Sequence, residues 1–169
     1  MLENIIRKAK EEGKKVNVYA HKFPDGDAIC SSCAVVEYLQ NNGVEAQYII
    51  TNPVFSFSQV VGKISTSTQV NKNDISVILD TSTRSYAENQ LFDKSAVDDI
   101  YIIDHHMKRE GDICIEDELG VPSSNFLRDS NASSVCEILV NEIRTRIKSI
   151  NCWKIDIRFV NRYRKTKIS

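Results

Sequence analysis

The stretch Ile100-Tyr101-Ile102-Ile103-Asp104-His105-His106 decides how the chain is read. Its four apolar residues form a run short enough to be a buried strand. It ends on a carboxylate and two imidazoles, three groups that are costly to bury. In an open parallel sheet, the carboxyl ends of the strands are where ligands bind. Adjacent histidines can equally be an accident of a solvated loop, so the triplet gains meaning only from the rest of the chain.

Working outward, two more strands end in the same way. Residues 75–79 are apolar and run into Asp80, and residues 16–20 run into His21-Lys22-Phe23-Pro24-Asp25-Gly26-Asp27. The Pro-Asp-Gly in that loop is turn chemistry. Residues 28–40 carry apolar side chains at helical spacing and stop at Asn41-Asn42-Gly43. Residues 46–50 read as a further strand, 53–63 as an ambiguous stretch with a helix as the first choice, the Ser/Thr/Asn-rich residues 64–73 as a loop, and 83–92 as a helix. Residues 113–116 read as another short strand. A capping box, Ser134 with Glu137, starts a helix through Ile138, Leu139 and Ile143. Strands alternating with helices predict an α/β fold: a doubly wound, mainly parallel sheet flanked by helices.

In such a sheet the three strand ends share one edge. That gathers Asp25, Asp27, Asp80 and Asp104 with His21, His105 and His106. Clustered carboxylates repel strongly unless cations lie between them. Carboxylate with imidazole and no thiolate suits Mn²⁺, or Mg²⁺ as the alternative ion, better than structural zinc. Four carboxylates balance two divalent ions. Two metals about 4 Å apart are the arrangement that clamps the attacking and leaving oxygens of a phosphoryl displacement. A single aspartate after a strand is usually only a loop or helix cap; three such strand ends are what the metal reading rests on.

His21-x3-Asp25-x-Asp27, then Asp80, then Asp104-His105-His106 resembles the DHH phosphoesterase superfamily. Ala132-Ser133-Ser134-Val135-Cys136-Glu137 is similar to the Ala-Ser-Ser helix start of its oligoribonuclease (nanoRNase) and phosphoadenosine-phosphate phosphatase branch. The likeness spans residues 16–143. It implies that His21 and Asp25 bind a first Mn²⁺, that Asp27 and His105 bind a second, and that Asp80 bridges both. It implies that Asp104 orients a histidine ligand, and that His106 faces the phosphoryl group or leaving oxygen as donor or general acid. Ser133 and Ser134 would help hold a phosphate at the helix start. The activity implied is hydrolysis, by a metal-activated water, of short oligoribonucleotides or phosphoadenosine phosphate. Inorganic pyrophosphatase and cyclic-dinucleotide phosphodiesterase are the enzyme alternatives, and a catalytically impaired metal-binding fragment is the non-enzyme one. A homodimer is left open.

Two family features are not matched. Relatives carry a further metal-binding aspartate in an Asp-Thr-Gly context after the Ala-Ser-Ser helix. Here residues 149–158 offer Asp156 without those flanks, so the role is not carried over. We expect no counterpart here of the family's C-terminal substrate-binding domain with its Gly-rich His motif. The charge also changes character at this point. Residues 1–143 hold 13 Lys/Arg against 22 Asp/Glu, a net of −9, whereas residues 144–169 hold nine against one, a net of +8. We expect 1–143 to be the phosphoesterase domain and 144–169 a basic, truncated or aberrant tail. A solvated basic helix, or a nucleic-acid patch with Trp153, Phe159 and Tyr163 interleaved, are the other readings.

The totals exclude several classes. With 169 residues, 41% hydrophobic and 27% charged, the chain is long enough for one real core. Nothing in it is apolar enough to span a bilayer. Its charged N-terminal residues 1–16 read as an amphipathic helix without a signal-peptide apolar region, so a cytoplasmic protein is expected. Five cysteines form no disulfide-dense framework. Cys30-Ser31-Ser32-Cys33 has redox spacing, but it has no second CxxC for zinc and lies in the helix after the acidic loop. A dinucleotide-binding reading fails because that loop has a single glycine, Gly26, between acids that would repel pyrophosphate.

Overall fold

The computed structural model describes residues 1–50, 61–62, 64–83, 87 and 94–147. Six parallel strands form one sheet in the order β3-β2-β1-β4-β5-β6: β1 Val16–Tyr19, β2 Ala46–Ile49, β3 Thr66–Ser67, β4 Ile75–Leu79, β5 Ile100–Asp104 and β6 Phe126–Arg128. The chain winds outward in one direction from β1 through β2 to β3. It then returns to pair β4 against the other side of β1. The winding direction reverses between β1 and β4, the switch point at which an open sheet of this kind leaves a crevice above the carboxyl ends of its strands.

Both faces of the sheet are covered, which is why the central strands are mostly apolar rather than alternating, with Asn17 and Ser76 the polar residues buried within β1 and β4. Every residue of β1, β4 and β5 is buried. Val77, Leu79, Tyr101 and Ile103 point into a core filled by α1 (Leu2–Glu12), α2 (Gly26–Asn41) and α4 (Val135–Ile147). Ile78, Ile100 and Ile102 point to the opposite core with Ile115 and Leu119 of α3 (Ile115–Leu119). Each such side chain contributes about 1.5–3 kcal/mol by leaving water. Lining both faces therefore fixes the register of the strands that aim the site residues.

Helix ends follow local chemistry. Gly13 closes α1 at φ 63°, a left-handed cap open to glycine without strain. Asp25 caps α2, its Oδ1 accepting the N–H groups of Asp27 and Ala28 at 2.9 and 3.1 Å. Ser134 opens α4 by accepting the Glu137 N–H at 3.1 Å, as the sequence predicts. Glu137 in turn accepts from the N–H and hydroxyl of Ser133, at 2.9 and 2.7 Å.

Residues 113–116 correct the sequence reading: they belong to no strand. Cys114 caps α3, and Glu116, Asp117 and Glu118 fill its first turn, where carboxylates favour a helix N-terminus. Gly120 at φ 71° ends it. Helix α4 continues past Ile143 to Ile147. The expectations for residues 53–60, for most of 83–92 and for the tail after residue 147 lie outside the described residues. No helix among the described residues is long and apolar enough to cross a membrane.

Candidate metal centre

Asp80 is the centre of the site. It follows β4 at the crevice, is 2% exposed, and adopts φ 56°. That left-handed backbone in a residue other than glycine costs on the order of 1–3 kcal/mol and occurs mostly where function requires a particular aim. Its Oδ1 is buried with no hydrogen-bond partner. Burial first, then the charges of Asp27 and Asp25, push its carboxyl up to about 7.

Two groups of donors share this carboxylate. His21 and Asp25, from the loop after β1, lie with Asp80 within 4.8 Å of one another through their ligand atoms. His105 and His106, after β5, form the second group with Asp80 within the same limit. Burial lowers the His21 pKa, with Asp25 opposing, so the ring is readily neutral and open as a ligand.

His105 is held by the chain itself. Its Nδ1 faces the Ala132 carbonyl at 3.3 Å. A carbonyl only accepts, so Nδ1 carries the hydrogen, and in the neutral ring Nε2 presents a lone pair. That lone pair lies 3.3 Å from Asp80 Oδ1. Two facing lone pairs in a buried pocket are what a cation between them would relieve. The donor set, imidazole nitrogen with carboxylate oxygen, fits Mn²⁺ or Mg²⁺.

Asp27 is placed at the junction with α4. Its Oδ2 accepts the Val135 N–H at 2.8 Å and its Oδ1 the Cys136 N–H at 3.1 Å. The carboxylate thus sits on the helix N-terminus, where the dipole favours negative charge. Its Oδ2 is 3.9 Å from His105 Nε2, and each oxygen keeps a further lone pair.

Asp104 differs from the other three. It is fully buried, with His106 Nδ1 at 2.7 Å from Oδ1 and Arg128 Nε at 3.2 Å from Oδ2. Burial would lower the His106 pKa, but the hydrogen bond to Asp104, with the charges of Asp104 and Asp80, raises it overall. The charge tally that called for two cations counted Asp104, which the structure engages with His106 and with Arg128, a cation it shares with Glu116. Three carboxylates remain for an ion.

Ser133 and Ser134 are brought to the edge of this region, with their hydroxyls engaged in the capping of α4. The thiols of Cys30 and Cys33 are buried, and burial pushes them up to about 11 and about 12. Neither is a thiolate at neutral pH, which removes the redox reading of that pair. Sequence reasoning missed Arg128, Glu116 and the Ala132 carbonyl. Arg128 at the end of Phe126-Leu127 was the available signal, a cation closing a short apolar run.

The description "DHH family, N-terminal domain" belongs to the family model that matches residues 15–158. Among curated proteins, probable manganese-dependent inorganic pyrophosphatases of Bacillus cereus and Bacillus anthracis are each 30% identical over 100 residues, which is 55% of this chain and 31% of theirs. The chain therefore spans about a third of the length of the curated relatives it matches.

Proposed function

The chain belongs to the DHH family through its N-terminal domain, and from that premise we propose that it is the catalytic domain of a Mn²⁺-dependent hydrolase of phosphate esters or anhydrides. Inorganic pyrophosphate is the first substrate to try, because the similar Bacillus proteins are described as manganese-dependent pyrophosphatases. The observation that carries the reading is the sharing of Asp80 between two donor clusters, with one buried oxygen left without a partner. The oligoribonucleotide and phosphoadenosine-phosphate substrates rest on the Ala132-Ser133-Ser134 likeness alone.

His21, Asp25 and Asp80 would hold one ion, and Asp80 with His105, reached by Asp27, a second. Bound there, Mn²⁺ supplies neutralisation of the phosphate charge and a water acidified enough to attack at neutral pH. The protein does the rest. The Ala132 carbonyl fixes the His105 tautomer. The backbone N–H groups at the start of α4 fix the Asp27 carboxylate. Asp104 holds His106 by Nδ1, so that the Nε2 side of a half-exposed ring is free to give a proton to the leaving oxygen.

The test is hydrolysis of inorganic pyrophosphate, phosphoadenosine phosphate and a short oligoribonucleotide, each with Mn²⁺, alongside Mn²⁺ binding by calorimetry. We expect pyrophosphate to be turned over fastest. Asp80→Ala should lower the rate by about 10³-fold or more, since it removes the group common to both ions. Mn²⁺ binding without turnover of any of the three would leave a metal-binding domain and remove the enzyme.

A further inference from the structure

Asp104 has its two oxygens committed in opposite directions, one to His106 and one to Arg128. Arg128 is committed in turn. Its Nη1 and Nη2 donate to both oxygens of Glu116 at 2.6 and 3.1 Å, and Nη1 also lies 3.3 Å from Cys114 Sγ. Glu116 is 5% exposed. The planar guanidinium fork can meet both acids only in one orientation. The backbone sets that orientation, because Arg128 of β6 pairs in register with Asp104 of β5.

The line Glu116–Arg128–Asp104–His106 therefore ends on a half-exposed ring whose Nδ1 lies 3.8 Å from Asp80 Oδ1. We propose that Arg128 is a positioning residue for His106. By holding Oδ2 it stops the Asp104 carboxylate from turning, so that Oδ1 alone meets Nδ1 and the His106 ring keeps one tautomer and one aim. Glu116 keeps Arg128 from swinging into the crevice, where its charge would compete for phosphate. A guanidinium that served packing alone would not need to share a carboxylate with a ring of the candidate metal centre. The proposal rests on the function proposed above for its kinetic consequence, but its geometric content stands apart from it.

The test uses Arg128→Met, the paired variant Arg128→Met with Glu116→Met, and Glu116→Gln. The paired change removes both members of a buried ion pair together, which proteins tolerate better than losing one. It is the fallback if Arg128→Met alone does not fold. Two readouts are taken. The first is the ¹⁵N spectrum of the histidine rings in the metal-free protein. We expect wild-type His106 to show a protonated Nδ1 and an unprotonated Nε2 well above its pKa, and the variants a mixture of tautomers. The second is Mn²⁺-dependent hydrolysis of inorganic pyrophosphate. We expect kcat to fall by about 10–100-fold in the Arg128 variants, the range for groups that orient a site residue, with KM and Mn²⁺ affinity little changed. Glu116→Gln should move both in the same direction by less. A folded Arg128 variant with the wild-type tautomer and wild-type kcat overturns the proposal, as does a wild-type His106 already mixed. A wild type with no Mn²⁺-dependent hydrolysis overturns the function proposed above instead, and the ring spectrum then decides the role of Arg128.

Discussion

Two neighbouring strands end on the same residue type, and the protein treats the two aspartates in opposite ways. Asp80 after β4 and Asp104 at the end of β5 are both nearly inaccessible, at 2% and 0%. Asp104 is answered within the fold, by a ring on one oxygen and a guanidinium on the other. Asp80 has a strained backbone, an oxygen without a partner and a carboxyl pushed up to about 7. Burying a carboxylate is tolerable only where something compensates it. The difference teaches that the compensation at β5 comes from the polypeptide, whereas at β4 the polypeptide leaves Asp80 Oδ1 without a hydrogen bond.

The comparison breaks most visibly if the two ends respond alike to losing a charge. In the metal-free protein, Arg128→Met leaves Asp104 and Glu116 buried without their cation, and should lower the unfolding free energy by about 3–5 kcal/mol. Asp80→Asn removes a poorly compensated charge and keeps a residue that tolerates φ 56°, so it should raise stability by about 1 kcal/mol. Urea melts of the two variants measure both. A loss in each would end the contrast.

A pH series sharpens it further. The folded carboxyl of Asp80 lies at about 7 and its usual value is 3.8. The native state therefore holds this proton more tightly than the unfolded chain does. That contribution is fully present below about pH 4 and is lost as pH rises through about 7, bounded above by about 4 kcal/mol. Thermal melts of metal-free protein should show this loss, and Asp80→Asn should abolish it. Mn²⁺ at about 100 times its Kd should restore about 2.7 kcal/mol at neutral pH; an unchanged midpoint there would count against the centre. The smallest effect concerns the capping of α4. Ser134→Ala should cost about 1 kcal/mol of stability and leave the Mn²⁺-dependent shift in place. A lost shift would mean that Ser134 belongs to the metal centre itself.

Strands β1, β2, β4 and β5 are legible because burial writes them as short, mostly apolar runs broken at Asn17, Gln47 and Ser76, and the ends of β1, β4 and β5 then place His21, Asp80 and His105 together. Strands β3 and β6 are two and three residues long, too short and too exposed to leave a pattern. Residues 113–116 mislead because Ile-Cys-Ile is a short apolar run like those of the true strands, while the acids and Gly120 after it favour a helical turn. The Glu116–Arg128–Asp104 line is invisible in the sequence for a different reason. Its members lie 12 and 24 positions apart, and an ion pair across such separations has no periodicity to detect.

The Asp27 carboxylate finds its N–H donors at Val135 and Cys136, 108 and 109 positions later. On a ribosome adding about 5–20 residues per second, the acidic loop is made on the order of ten seconds before the helix that anchors it. Until then, that loop is an unanchored cluster of negative charge. Any ion that depends on an anchored Asp27 would accordingly be held only after β5, β6 and helix α4 have closed on the first half of the sheet.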